Sequence, residues 1–221
     1  MAFSSQFAKN EAWQILIAWI VLTFGLGFVP IVNLLSGSHV GTSISALAAV
    51  GVACATGFVF HEMGHKFVAI KYGYQAHFRI WTWGLMITIV SAVVTGGAWL
   101  FGAPGAVYII PTAMTGSYGF GYYSSQYKVR DPDRESMWIS IAGPGLNLAF
   151  AAAFFVVYLF AADPFTYYLG LYGFELNIGL GAFNMIPFPP LDGSKIFKKS
   201  IGLGLAIAVP LWLILVYLLV G

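Results

Sequence analysis

Charged residues and cysteine are both scarce in this sequence. Only 8% of the 221 residues are charged, whereas a soluble domain usually carries about 25%, so the composition excludes an ordinary cytosolic protein. Ten Lys and Arg against eight Asp and Glu leave a formal charge of +2, too small and scattered for a nucleic-acid-binding surface. The single cysteine, Cys54, excludes an intramolecular disulfide and a multi-cysteine zinc site. Any metal must therefore be bound by His and carboxylate side chains.

Charge is missing altogether from long stretches of the chain. No Asp, Glu, Lys or Arg occurs within 12–61, 80–127, 137–162 or 200–221, and each interval is long enough to cross a bilayer, which takes about 20 apolar residues per helix. We therefore expect an all-α multi-pass membrane protein with five to six transmembrane helices in a single domain, residues 1–221. The expected spans lie at about 13–32, 44–70, 136–160, 165–187 and 200–220.

The interval 80–127 admits two interpretations. Residues 84–95 are rich in β-branched side chains, and 102–123 are dense in Gly, Pro and Tyr. Long β-branched runs favour strands in water, yet only helices or closed barrels can cross lipid. The interval is therefore either a helix followed by a return, or a re-entrant hairpin packed against the other helices.

A metal-binding motif follows the second apolar stretch. In His61-Glu62-Met63-Gly64-His65 the two His are four residues apart, so they share one face of a helix and can bind one metal ion beside Glu62. This geometry is typical of zinc metalloproteases, in which zinc keeps an open position and a glutamate acts as general base. The alternative is a structural His pair at the membrane border, but such polar groups are costly to leave unpaired in lipid.

A zinc site of this kind needs a third protein ligand, and Asp192 is the favoured candidate. It follows Pro187, Pro189 and Pro190, which must break the helix at membrane depth. Irregular backbone is tolerated there only when it is buried in protein or faces a cavity. Glu175 lies near the start of an apolar span, and the other carboxylates are expected in loops or turns: Asp131, Asp133 and Asp163.

Three motifs together resemble the site-2 protease family of intramembrane zinc metalloproteases. They are His61-Glu-x-x-His65, Ala142-Gly-Pro-Gly-Leu-Asn147 and Asn184-x-x-Pro187-x-Pro189-x-x-Asp192-Gly193. The resemblance implies that His61, His65 and Asp192 bind one Zn²⁺ ion. It also implies that Glu62 is the general base and that Asn184 binds the substrate backbone or the oxyanion. The remaining motif positions are expected to support the site: Gly143, Pro144, Asn147, Pro187, Pro189 and Gly193.

The same resemblance implies an activity and partners. The chain is expected to hydrolyse a peptide bond in or near a transmembrane segment of a membrane-protein substrate within the lipid bilayer. A minimal form without a PDZ or CBS domain implies that regulation is absent, or comes from a separate partner or a homo-oligomer. Family members place a membrane-associated β-hairpin at the position of 80–127, so 102–110 is expected to be an edge strand that pairs with substrate. The alternative is a non-proteolytic metal-binding membrane protein, either a transporter or an inactive scaffold.

Basic residues predict the orientation of the chain. Three clusters flank the expected spans, around Lys66 to Arg79, Lys128 to Arg134 and Lys195 to Lys199. Because Lys and Arg collect on the cytoplasmic side, all three clusters should lie there, in the cell membrane. The interval 80–127 must then leave and return on one face, and the active site lies toward the cytoplasm.

Overall fold

The computed structural model describes residues 10–98, 100, 104–110 and 131–220, and most of them are helical. The first residues of the expected edge strand, 102 and 103, and residues 111–127 of the membrane-associated interval lie outside this part of the chain. The elements follow in the order α1 Glu11–Leu26, α2 Phe28–Leu35, α3 Val40–Cys54, a π-helical turn Ala55–Val59, α4 Phe60–Lys71, β1 Gln75–Ile80, α5 Thr82–Val94, β2 Gly105–Ile110, α6 Pro132–Leu159, α7 Pro164–Asn184, α8 Asp192–Lys199 and α9 Ile201–Val220.

Fewer membrane spans meet the length and hydropathy requirements than the sequence predicts. Among the described residues, three helices are long and apolar enough to cross a bilayer: Val40–Lys71, Pro132–Leu159 and Ile201–Val220. The α1 and α2 helices form a pair bent by 70°, which makes a fourth if it is counted as one span. The span expected at 165–187 corresponds to α7, which is not among them, so the predicted count of five to six is not confirmed.

The interval from 80 onward combines features of both predicted alternatives. Its β-branched run forms a helix, α5, of 13 residues, because in a lipid environment only a helix satisfies its backbone groups internally. On either side of α5, β1 and β2 pair antiparallel, with Phe78 opposite Val107 and Ile80 opposite Gly105. The fold is therefore mostly helical but not all-α, as it contains one small two-stranded sheet.

Two groups of helices pack around the metal-binding motif. The α6, α7, α8 and α9 helices share a core that contains Ile178, Met185 and Ile196. A second core joins α1, α3 and β1, where the rings of Phe58 and Phe78 meet edge to face with centroids 5.9 Å apart. The α4 helix, which carries the His61 motif, lies between these cores and contacts α6 and both strands.

Side chains of α1 cover the outer edge of the small sheet. The backbone N–H of Phe78 donates to Glu11 Oε1 at 2.9 Å, and the N–H of Ile80 donates to Gln14 Oε1 at 3.0 Å. These amides point away from β2, so the side chains of Glu11 and Gln14 take the place that a further strand would occupy. The opposite edge, along β2, faces the metal-binding motif.

Candidate metal centre

Three side chains from two helices converge on one point in the interior. His61 and His65 lie one turn apart on α4, and Asp192 is the first residue of α8. All three are buried, and they form a group in which one ligand atom from each lies within 4.8 Å of the others. The structure thus brings together the two His of the local motif and the carboxylate predicted as third ligand, although Asp192 lies more than 120 positions later in the sequence.

The spacing of these ligand atoms fits a zinc ion. His61 Nε2 and His65 Nε2 are 3.0 Å apart, and Asp192 Oδ2 lies 3.5 Å from the first and 3.0 Å from the second. Tetrahedral zinc with bonds of about 2.0–2.2 Å holds its ligand atoms about 3.3 Å apart. Two His nitrogens and one carboxylate leave a fourth position open, as in catalytic zinc sites.

The other nitrogen of each imidazole is held by the protein. His61 Nδ1 lies 2.6 Å from Asn147 Oδ1, and His65 Nδ1 lies 2.7 Å from the carbonyl oxygen of Ile139. Both partners are acceptors, so each Nδ1 carries the proton and donates it, which leaves the lone pair of Nε2 for a metal. The structure assigns Asn147 a site-supporting contact, where the sequence left packing and support equally open.

The π-helical turn before the motif explains how Asn147 reaches His61. A π-helical turn widens the helix and releases carbonyl groups from the regular ladder. The Asn147 side-chain amide donates to the carbonyl of Gly57 at 2.8 Å and to Asn177 Oδ1 at 3.0 Å. Asn177 in turn donates to Thr56 Oγ1 and to the carbonyl of Gly173. A buried polar chain therefore runs from α7 to the ring of His61.

Glu62 points toward the sheet. This buried side chain lies beside the two His on α4, and its Oε2 accepts the backbone N–H of Val107 at 2.8 Å. The backbone N–H of Trp81 donates to the carbonyl of Pro104 at the end of the sheet. Because hydrogen-bonded positions alternate along a strand, the N–H of Val107 points away from β1. The amide of β2 therefore orients a carboxylate next to the metal ligands, which is the position that a general base requires.

Two glycines allow close approach at the metal centre. A Cβ on Gly143 of α6 would lie 2.5 Å from His65 Nε2 and 2.6 Å from His61 Cε1, so no side chain fits there. A Cβ on Gly193 would collide with the backbone of Met185 and Ile186, where the chain leaves α7. Both belong to the predicted supporting set, as does Pro144, which is buried inside α6.

Asp192 is held in place by the short helix that it begins. At the other end of α8, Lys198 pairs with Asp133 at 3.0 Å and Lys199 with Asp131 at 2.6 Å. The hydrogen bond from Lys199 lowers the pKa of the exposed Asp131 carboxyl, which also caps the start of α6. The ion pairs therefore tie the end of α8 to the start of α6. The other end of α8 carries Asp192, the candidate metal ligand.

A cavity of about 280 Å³ opens onto the metal centre. Its lining includes Glu62, Pro104 before β2, the β2 residues 105–107 and 109, and Asn184 at the end of α7. The Asn184 amide donates to the carbonyl of Leu180 at 3.0 Å. Pro187 and Pro189 lie in an exposed segment outside this lining, whereas Pro190 and Leu191 belong to it. The proline-rich segment thus faces the cavity only at its last two residues.

Sequence reasoning missed several parts of the site. Asn177 carried no motif, and the amide of Val107 is backbone, so no residue pattern could reveal either one. Lys66 was assigned to a cluster at the membrane border, but its side chain is fully buried and pairs with Glu11 at 2.6 Å. The sequence does contain a signal for this pair. Glu11 lies at the start of one apolar span and Lys66 lies inside another, and charges in lipid usually pair.

Comparison with known proteins identifies relatives. The model of peptidase family M50 matches residues 49–172 of the chain, an interval that contains the His61 motif and Asn147. A protein of Methanocaldococcus jannaschii named "Putative zinc metalloprotease" is 35% identical over 161 residues, which covers 72% of this chain and 74% of the relative. No solved structure matches.

Proposed function

The chain belongs to peptidase family M50, the site-2 protease family, and from this membership we propose that it is an intramembrane endopeptidase acting on transmembrane segments of other membrane proteins. Zinc metalloprotease activity follows from the family and from the relative. The substrate is the finer part of the proposal. It is a membrane protein cut in or near a transmembrane segment, and the bond is reached from within the bilayer.

One observation carries the proposal: two imidazoles and the Glu62 carboxylate, on a helix long and apolar enough to cross a membrane, converge with the carboxylate of Asp192 at the start of α8. Buried ionisable groups in such helices are costly and therefore point to function. The cavity at this cluster gives water a polar place in an otherwise apolar region. Family membership favours proteolysis over the alternative of a transporter or an inactive scaffold.

The residues at the centre divide the chemistry among them. His61, His65 and Asp192 hold the zinc ion, which supplies Lewis acidity that makes water more acidic and polarises a carbonyl group. Glu62 accepts a proton from the attacking water at its carboxylate and returns it to the amine of the leaving peptide. Asn147 keeps the His61 ring in the tautomer that presents Nε2 to the metal.

The edge of β2 that faces away from β1 provides a place for an extended substrate. Gly105 and Ile109 lie on the same edge as Val107 by strand alternation, and all three line the cavity. A peptide bond inside a helix is shielded because its carbonyl is already hydrogen-bonded, so the substrate must unwind before it is cut. Strand addition to β2 would hold the unwound segment beside Glu62. Asn184, across the cavity, would then bind the substrate backbone or the oxyanion.

The orientation of the chain completes the proposal. The α7 helix has 21 residues, a length of about 31 Å, and it packs against α3 and α6. Counting α7 and the bent pair of α1 and α2 as spans gives five crossings. The basic clusters then lie on the cytoplasmic side of the cell membrane, the active site lies near that side, and the C-terminal end of α9 lies outside.

The test compares wild-type enzyme with Glu62→Gln in lipid vesicles that contain a fluorogenic transmembrane peptide with a central Gly pair. Glu62→Gln should bind zinc in the wild-type ratio but cleave the peptide at least about 100-fold more slowly, because a general base contributes about 10²–10⁴-fold. A zinc chelator should stop the wild-type reaction, and added zinc should restore it. Retained cleavage by Glu62→Gln would refute the assigned base, and metal uptake into vesicles without cleavage would favour the transporter.

A further inference from the structure

A second cavity lies between α1, α3 and α7. Its volume is about 410 Å³, within the range of about 300–1,000 Å³ for ligand pockets. Most of its wall is apolar, with Leu26, Val50 and Leu176 among the lining residues. An apolar space of this size inside a bundle of membrane helices suits apolar side chains of another chain.

This cavity adjoins the one at the metal centre. Leu22, Phe58 and Leu180 line both cavities, one residue each from α1, the π-helical turn and α7. These three apolar side chains form the boundary between the two spaces. A chain segment that occupies the larger cavity therefore lies next to the space that contains Glu62 and the candidate metal ligands, with these side chains between the two.

Glu175 is the acidic residue in the wall of the larger cavity. It lies on α7 next to the cavity-lining residues Tyr172 and Leu176, and its side chain is exposed rather than packed away. Within the described ranges, no cation or hydrogen-bond donor contacts its carboxylate. An ionisable group on an apolar helix is costly without a partner, so this carboxylate calls for a partner that the described part of the chain does not supply.

Resting on the function proposed above, we propose that the larger cavity receives the substrate's transmembrane segment and that Glu175 binds a Lys or Arg side chain in it. Glu175 precedes Asn184 by nine positions on α7, a rise of about 13 Å. The basic residue should therefore lie about four residues from the cut bond if the intervening segment is extended, and about nine if it is helical. A lipid chain is the weaker occupant, because it would leave the carboxylate facing hydrocarbon.

The test measures binding rather than cleavage, in a Glu62→Gln background that prevents turnover. The probes are Leu/Ala transmembrane peptides of about 24 residues with a Gly pair and a fluorophore. Each has Lys or Gln at one position between about three and ten residues from the pair. Energy transfer to the enzyme in phosphatidylcholine vesicles gives the affinity. At the matching position, the Lys peptide should bind about 10-fold more tightly than the Gln peptide.

Three variants in the same background decide the outcome. Glu175→Gln should remove the preference for Lys, and Glu175→Lys should transfer it to a peptide with Glu at the same position. Asp163→Asn removes an exposed carboxylate that does not line the cavity, keeps a side chain that can cap α7, and should leave the preference unchanged. Equal binding of Lys and Gln peptides at every position, or a preference that survives Glu175→Gln, would overturn the proposal. Zinc content checks that each variant is folded.

The outcomes separate this inference from the proposed function. A Glu175-dependent preference for Lys supports the inference even if no peptide is cleaved by the enzyme with Glu62 intact. If the enzyme with Glu62 intact cleaves both peptides, but the Lys and Gln peptides bind with equal affinity with and without Glu175→Gln, the inference is wrong. The peptidase activity is then still supported.

Discussion

Asn147 controls the metal centre through a single ring nitrogen. Its Oδ1 accepts from His61 Nδ1, while its amide group is fixed by Gly57 and Asn177. The amide cannot rotate without losing both of those bonds, so the oxygen is the atom that faces His61. The tautomer of His61 is therefore set by a side chain on α6 that lies outside the group of candidate metal ligands.

Replacing Asn147 with Leu should weaken zinc binding about 10- to 100-fold, the usual effect of losing a partner of a metal-bound His. Without Oδ1, neither the tautomer nor the direction of the His61 ring is held. Competition with a calibrated zinc chelator measures the affinity. Asn177→Leu is the matched comparison, since it removes a neighbour of Asn147 but no contact to the ring, and its effect on zinc should be smaller. Equal zinc affinity in wild type and Asn147→Leu would contradict this role.

Gly143 and Gly145 offer a matched pair of substitutions on α6. A Cβ at Gly143 would reach both His rings, whereas one at Gly145 meets only Ile141 Cγ2 at 3.9 Å. Gly143→Ala should therefore displace the rings and abolish stoichiometric zinc binding, and cleavage should fall with it. Gly145→Ala should keep zinc and activity near wild type. Elemental analysis of the purified proteins separates them, and zinc retained by Gly143→Ala would show that the rings can move aside.

At the level of elements, the β2 strand connects the proposed substrate site with the proposed base, Glu62. One of its edges pairs with β1, and the other presents Val107 to Glu62. The same strand is the proposed partner of an extended substrate. Pairing of a substrate with β2 and orientation of the base are thus properties of one backbone segment, which suggests that substrate docking and proton transfer depend on each other.

Val107→Pro should lower kcat while zinc content stays unchanged. Proline removes the N–H that Glu62 accepts, and a strand position whose N–H is not bonded to the neighbouring strand can accommodate proline. Val107→Ala keeps the N–H and removes only side-chain volume, so it should retain most of the activity. The comparison of kcat for the two variants in vesicles tests the amide itself. A similar loss in both would assign the effect to packing.

At the scale of the whole molecule, the sequence predicts local patterns but not most long-range contacts. The spacing of His61 and His65 predicts a shared helix face because four residues complete about one turn. The proline-rich segment before Asp192 and the family resemblance predict this residue as the third metal ligand. The β-branched run around 84–95 favours strands in water, but it forms α5, because propensity gives way to the environment. The π-helical turn and the contact from Val107 to Glu62 depend on distant backbone, which no motif records.

The buried pair of Glu11 and Lys66 joins distant parts of the molecule. Both side chains are fully buried, their charged atoms are 2.6 Å apart, and 55 positions separate them in the sequence. Glu11 also accepts the N–H of Phe78, so one carboxylate connects the start of α1, the middle of α4 and the sheet. Lys66 directly follows the metal ligand His65, so the position of α4 at the metal centre depends on α1.

Breaking this pair from one side should be far more damaging than removing it whole. Lys66→Met removes the ammonium that lies 2.6 Å from the buried Glu11 carboxylate, and Glu11→Gln removes the carboxylate that lies 2.6 Å from the buried Lys66 ammonium. Each single change should cost about 3–5 kcal/mol because it leaves an excess buried charge, whereas removing both charges together avoids that cost. The double variant Glu11→Gln/Lys66→Met should therefore recover much of the stability that either single variant loses. Thermal unfolding in detergent, monitored by circular dichroism, gives the four stabilities of this cycle, and additive losses would show that the two charges act independently.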